Sequence, residues 1–126
     1  MNSIKVPKPE VGIKRVWKAF FYSVSGFKLA FRDEAAFRQE FLLVVVLSPV
    51  CLLLPFDSMI KAMILFSHCL VLIVELLNTA VEAIVDKVSP EFSEQAKKAK
   101  DTGSAAVLLS LFISGGLWIF ALFKLL

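Results

Sequence analysis

Three apolar stretches separated by short polar blocks organise the chain. Residues 41–56, FLLVVVLSPVCLLLPF, contain 16 uncharged residues. A helix that crosses a ~30 Å hydrocarbon core needs ~20 residues. This helix is therefore expected to begin inside the preceding block DEAAFRQE, residues 33–40, and Pro49 is a candidate kink. PFDS, residues 55–58, reads as a tight turn in which Asp57 or Ser58 can cap the next helix. From Met59 the pattern is helical and apolar to Val74, then continues with acidic residues to about Val88. Ser89-Pro90-Glu91 has the form of an N-cap, a proline at the first helical position and an acid in the first turn. Residues 102–123 are 22 uncharged residues, the clearest span. There Gly103, Ala106, Ser110 and Ser114 make a small-residue ladder suited to close helix packing.

Before the first span, residues 1–9 contain Pro7 and Pro9 among polar residues and read as a loose start. From Gly12 to Arg32, Ile13, Val16, Trp17, Phe20, Phe21, Val24, Phe27 and Phe31 recur at three- and four-residue steps, with Lys14, Arg15, Lys18 and Lys28 between them. That describes an amphipathic helix lying in the interface of an anionic membrane face. The alternative, a soluble core helix, has no soluble core to join. The expected architecture is an all-α membrane protein of one domain. It has a surface helix over about 12–32 and transmembrane helices over about 35–55, 58–88 and 97–124.

Composition agrees. The 126 residues are 58% hydrophobic, above the ~45–50% of soluble domains. Eight of the fourteen Lys and Arg lie in residues 1–40 and four more in 87–100. The positive-inside rule then places both segments on the cytoplasmic side and PFDS and the C-terminus outside. Cys51 and Cys69 lie in apolar runs without CxxC or Cys/His spacing, so they read as buried apolar side chains rather than a disulfide or metal site. No cleavable leader is expected, because the first apolar run starts near residue 41 and no small-residue cleavage pattern follows it.

One stretch resists a purely structural reading. In VELLNTAVEAIVD, residues 74–86, helical geometry puts Glu75, Asn78, Glu82 and Asp86 within about one quadrant of the helix. An ionised carboxylate in hydrocarbon costs at least ~2.5–3.5 kcal/mol, so this stripe must meet protein, cations or water. With hydrocarbon starting near Ile60, the ~30 Å core ends near Thr79. Glu75 then lies about a turn inside, and Glu82 and Asp86 lie in the headgroup layer, so the stripe marks an interfacial site rather than a midplane channel. The same face collects Glu34, Arg38, Gln39, Glu40, Lys100 and Asp101. Carboxylates from two helices can hold Mg²⁺, cationic side chains can hold phosphates, and a spare carboxylate can serve as general base. The competing reading is salt bridging that fixes helix packing: Arg38 with its i,i+4 neighbour Glu34, and Asp86 at the helix exit. No GxxxxGK[ST], kinase glycine loop or GxSxG is present. His68, alone on an apolar helix, reads as a packing or hydrogen-bonding histidine, and Trp17 and Trp118 as interface anchors or packing residues. Three helices bury little surface together, so an oligomer, a homotrimer or similar, is expected.

Three blocks, EAAFRQE at 34–40, VELLNTAVEAIVD at 74–86 and AKDTGSAAV at 99–107, resemble the prokaryotic diacylglycerol kinase family. The pattern of Arg15, Lys18, Ala19, Tyr22, Ser23 and Gly26 is similar as well. The resemblance implies a homotrimer in the bacterial inner membrane with active sites at subunit interfaces on the cytoplasmic face. It implies transfer of the ATP γ-phosphate to the primary hydroxyl of diacylglycerol, with Mg²⁺, giving phosphatidic acid; nucleic acid is not among the implied partners. On this resemblance Glu75 is the catalytic base, in contact with the lipid substrate, and Asn78 a positioning residue. Glu34 and Glu82 are metal ligands within the ATP site. Lys100 and Asp101 contact the nucleotide, with Arg15, Tyr22 and Glu91. Arg38, Gln39, Glu40 and Ser104 are lipid-site or supporting residues, and Trp118 a tryptophan that touches lipid. Val24 and Phe31 stand where tryptophans are expected, and Ser93 where some relatives carry histidine, which leaves the adenine contact open. Undecaprenol kinase is the sister activity. A non-catalytic membrane scaffold or cation carrier is the reading from a different class.

Overall fold

The computed structural model describes residues 6–126, so the loose start expected for residues 1–9 falls partly outside the described residues. Four helices follow one another: α1 (Ile13–Asp33), α2 (Ala35–Leu53), α3 (Ser58–Val88) and α4 (Glu94–Leu125). The last three are long and apolar enough to cross a membrane. Together they make the expected all-α class, with α3 touching each of the other helices.

Gly12 opens α1 with φ 79°, a conformation that needs a residue without Cβ. The preceding arm folds back so that Lys18 Nζ donates to Glu10 Oε1 at 2.5 Å. That bond raises the Lys18 pKa above its ordinary value. Of α1 only Ala30 is buried. The helix is held at its C-terminal end, where Phe27 meets Phe37 and Phe31 meets Phe41 edge-on. Its aromatic N-terminal half, with Trp17 against Phe21, is left for the membrane interface.

A single extended residue, Glu34 (φ −111°, ψ 113°), separates α1 from α2. This corrects the expected Glu34–Arg38 pair. The extended backbone takes the Glu34 carboxylate out of helical register. Arg38 Nη1 instead donates to the carbonyls of Phe31 (2.9 Å) and Arg32 (2.8 Å), two of the acceptors a helix end leaves unpaired. Helix α2 runs unbroken through Pro49. At PFDS, Asp57 occupies the N-cap position of α3 but its side chain makes no cap bond. The turn is closed by Lys61 Nζ on the carbonyl of Leu52 at 2.8 Å.

The start of α4 also differs from the expected signal. The N–H of Ser89 donates to Val85 O at 2.8 Å, so Ser89 ends α3. The N-cap of α4 is Ser93, whose Oγ accepts from Ala96 N at 3.0 Å, and the helix begins at Glu94. Along α3 the inward stripe is Ile60, Ile64, Ser67, His68, Val71, Glu75 and Asn78. Opposite it on α4 run Gly103, Val107, Ser110, Ser114 and Ala121; Val107 takes the place expected of Ala106, which is exposed. The Ser67 and Ser114 hydroxyls meet at 3.0 Å. Cys51 lies with Phe56, Ile60, Ile64 and Ala121 in the apolar core near the α2–α3 turn. Cys69, expected to be buried, is exposed on α3; both thiols are free.

Candidate functional site

The acidic stripe turns into the bundle at its upper end and leaves it at the lower. Glu75 is 3% exposed and Asn78 9%; Glu82 is half-buried and Asp86 exposed. They continue the apolar inner stripe of α3, so the packing that buries Ile64 and Val71 also sequesters Glu75 among protein atoms. Asn78 Nδ2 donates to Glu82 Oε1 at 3.2 Å, which orients that carboxylate and leaves its second oxygen free. From α2, Glu40 is buried at 8% exposure. Glu34, Glu40 and Glu82 stand close enough to Glu75 for their charges to act on it. Glu75 thus shares its electrostatic neighbourhood with carboxylates from α2, α3 and the α1–α2 junction.

Buried polar groups without a partner are rare in folded proteins. Among the described residues four side-chain atoms are in that state, and three of them, Glu40 Oε2, Asn78 Oδ1 and Thr79 Oγ1, belong to this region. Thr79 had no signal in the sequence beyond being a hydroxyl one turn past Glu75. It lines a cavity of about 580 Å³ between α1 and α3 together with Asp33 and Glu34.

A second group forms where α3 hands over to α4. Lys100 Nζ is ion-paired with Asp86, and Lys97 Nζ pairs with Asp101 at 2.5 Å, one helical turn apart. Asp86, Ser89, Glu91, Ser93, Lys97, Lys100 and Asp101 line a cavity of about 330 Å³. The structure therefore unites three of the expected nucleotide contacts, Glu91, Lys100 and Asp101. Lys97 and Ser93 line the same cavity; an i,i+4 charge spacing and a serine just ahead of a helix are their signals in the sequence.

Other expected residues lie apart within one chain. Arg15 and Tyr22 line a different cavity, about 420 Å³, with Lys8, Glu10 and Lys18. Gln39 and Ser104 are exposed, and Arg38 is engaged by the end of α1. Glu40 and Trp118 line the same narrow slot of about 160 Å³, walled by Leu43, Val44, Leu47 and Val71. The indole N–H of Trp118, however, is taken by His68.

No three His, Cys, Asp or Glu side chains among the described residues form a metal cage. Mg²⁺ does not require one, because it commonly takes one or two carboxylates and completes its shell with water and phosphate oxygens. The carboxylate of Glu82, with one oxygen steadied by Asn78, and that of Glu34 at the junction are of the right chemistry.

The profile of the prokaryotic diacylglycerol kinase family matches residues 21–122. A diacylglycerol kinase of Pseudomonas aeruginosa is 49% identical over 111 residues, 88% of this chain and 90% of that protein. One of Escherichia coli strain K12 is 39% identical over 113 residues, 90% of this chain and 93% of that protein. One of Helicobacter pylori strain J99 is 37% identical over 122 residues, 94% and 92% of the two chains. These matches, with three helices able to cross a membrane, define a helical membrane kinase, and its sequence carries no P-loop. The chain belongs to the prokaryotic diacylglycerol kinase family.

Proposed function

We propose that this enzyme transfers the γ-phosphate of ATP to the primary hydroxyl of diacylglycerol at the cytoplasmic face of the bacterial inner membrane. The observation that carries this is Glu75: a carboxylate buried in a membrane-spanning helix, flanked by Glu34, Glu40 and Glu82, and set among polar atoms that lack partners. Its family relatives named diacylglycerol kinase support the choice of lipid.

Phosphoryl transfer through a loose transition state asks chiefly for alignment and charge neutralisation. Lys97 and Lys100 face the cavity at the α3–α4 junction and suit a polyphosphate. Glu91 and Asp101 line its rim. Arg15 and Tyr22 reach the nucleotide from the surface helix. Glu34 and Glu82 would hold Mg²⁺, which when bound offsets charge on the phosphate oxygens. Glu75 accepts the proton of the lipid hydroxyl while that oxygen bonds to the γ-phosphorus. The bond from the γ-phosphorus to the bridging oxygen breaks, and ADP leaves with the electron pair. Asn78 keeps Glu82 in place. Gln39, Glu40, Ser104 and Arg38 line or support the lipid approach, and the slot from Glu40 to Trp118 lies beside it.

The working unit we propose is a homotrimer of single-domain chains. Met59, Met63, Phe66, Ile73, Leu77, Ile84 and Val88 are all exposed on α3. Their steps of four, three and seven residues form the seam of a left-handed helix bundle. A neighbouring chain packed on that seam would cover these apolar side chains.

The test is a panel assay. The purified protein in mixed micelles is given Mg·ATP with diacylglycerol or undecaprenol, and lipid phosphate is measured. Phosphatidic acid as the favoured product is expected. Transfer to undecaprenol alone would move the enzyme to the sister activity, and no transfer to either alcohol by a folded oligomer would overturn the catalytic reading.

A further inference from the structure

Of the five glycines, Gly103 is the one whose missing Cβ is demanded by its surroundings. A methyl group at Gly12, Gly26, Gly115 or Gly116 would meet no atom within 4 Å. At Gly103 it would collide with the side-chain oxygen of Asn78, and the amide carbon would lie 3.4 Å away. Gly103 is interior to α4 and outside any turn, where glycine is a poor helix former. The hydrogen that stands where a Cβ would be therefore points at Asn78 Oδ1, in the manner of the Cα–H···O contacts found where helices cross closely. Asn78 Oδ1 is a buried oxygen with no hydrogen-bond partner. With Oδ1 seated against α4, the other end of the amide is aimed along α3, and Nδ2 reaches Glu82.

We propose that Gly103 is a positioning residue for phosphoryl transfer, holding the Asn78 amide in the orientation that steadies Glu82. The inference rests on the reading of Asn78 and Glu82 as parts of the kinase site. It adds a residue on a different helix, acting through Asn78. The displaced atom in a Gly103→Ala variant is the free end of a side chain, so the helices need not part. The amide turns away instead, and Glu82 loses its donor.

The test uses the intact oligomer in micelles and four proteins: wild type, Gly103→Ala, Asn78→Ala and the double variant. Loss of a group that orients a metal ligand typically costs about 10–100-fold, so Gly103→Ala should lower kcat about ten-fold and raise the Mg²⁺ needed for half-maximal rate, with KM for diacylglycerol within about two-fold. Its melting temperature should equal or exceed that of wild type, because alanine is the better helix former. The Asn78 side-chain amide resonance should move. In the Asn78→Ala background, where nothing remains to collide, adding Gly103→Ala should change nothing further. Wild-type turnover in Gly103→Ala, an unmoved Asn78 resonance, or a loss that adds fully to that of Asn78→Ala would each overturn the proposal. Full activity of Asn78→Ala would instead remove Asn78 from the site and overturn the reading beneath the proposal.

Discussion

The indole N–H of Trp118 donates to His68 Nε2 at 3.0 Å, with the two rings stacked. An indole nitrogen can only donate, so Nε2 is the acceptor and the imidazole proton sits on Nδ1. From there it is donated to Ser48 Oγ at 2.9 Å. One hydrogen-bonded chain thus ties α2, α3 and α4 together inside the membrane, two turns of α3 away from Glu75. Replacing His68 with leucine leaves the Trp118 indole N–H without an acceptor and Ser48 Oγ without its donor. A buried group left unpaired costs about 1–3 kcal/mol. The expected outcome is a lower melting temperature in micelles, with turnover per folded molecule retained.

Glu75 is the residue whose loss should separate chemistry from folding. Glu75→Gln keeps the shape and removes the base, and general-base catalysis is worth about 10²–10⁴-fold. Phosphatidic acid formation should fall by that order while the size-exclusion profile stays that of the wild-type protein. Near-normal turnover in the variant would reassign the base.

Glu34 and Glu82 should behave as a pair toward the metal. Chelation of Mg²⁺ should abolish transfer, and readdition should restore it. In Glu34→Gln and Glu82→Gln the Mg²⁺ concentration for half-maximal rate should rise, whereas in Glu40→Gln it should not. A titration of rate against free Mg²⁺ distinguishes the three carboxylates.

Lys100 and Asp86 form an exposed ion pair across the α3–α4 junction, and such pairs contribute little to stability. Lys100→Ala should therefore raise KM for ATP far more than it lowers the melting temperature. Asp86→Asn, which frees Lys100, should leave both nearly unchanged. Steady-state kinetics in ATP, with thermal melts of the same samples, checks both outcomes.

At the α1–α2 corner, Arg32 donates to both oxygens of Asp33 at 2.6 and 2.8 Å, which holds the Asp33 carboxyl below the usual carboxylate range. A depressed pKa stabilises the corner above the unfolded carboxylate value, and that contribution is lost as pH falls through the lower folded value. Carboxyl NMR of Asp33 should show no titration between neutral and mildly acidic pH. In Arg32→Ala the midpoint should rise.

Much of this was legible along the chain. The spans follow from apolar runs whose length must match the bilayer, and the inward turn of Glu75 and Asn78 follows from the cost of facing lipid with a charge. The i,i+4 rule does not reach Arg38, because it assumes an unbroken helix and the extended Glu34 breaks it. Ser89 and Ser93 both carry a cap signal, and the end of α3 claims the first of them.

Local periodicity and transfer energies, which act residue by residue, are what the sequence by itself determined: three membrane helices, a surface helix and an acidic stripe at one interface. Which groups meet was decided only by tertiary structure. Trp118 with His68, Lys100 with Asp86, and Gly103 with Asn78 are all contacts between α3 and α4. Their existence depends on how closely and in what register the helices pack, and no pattern within one helix encodes that distance.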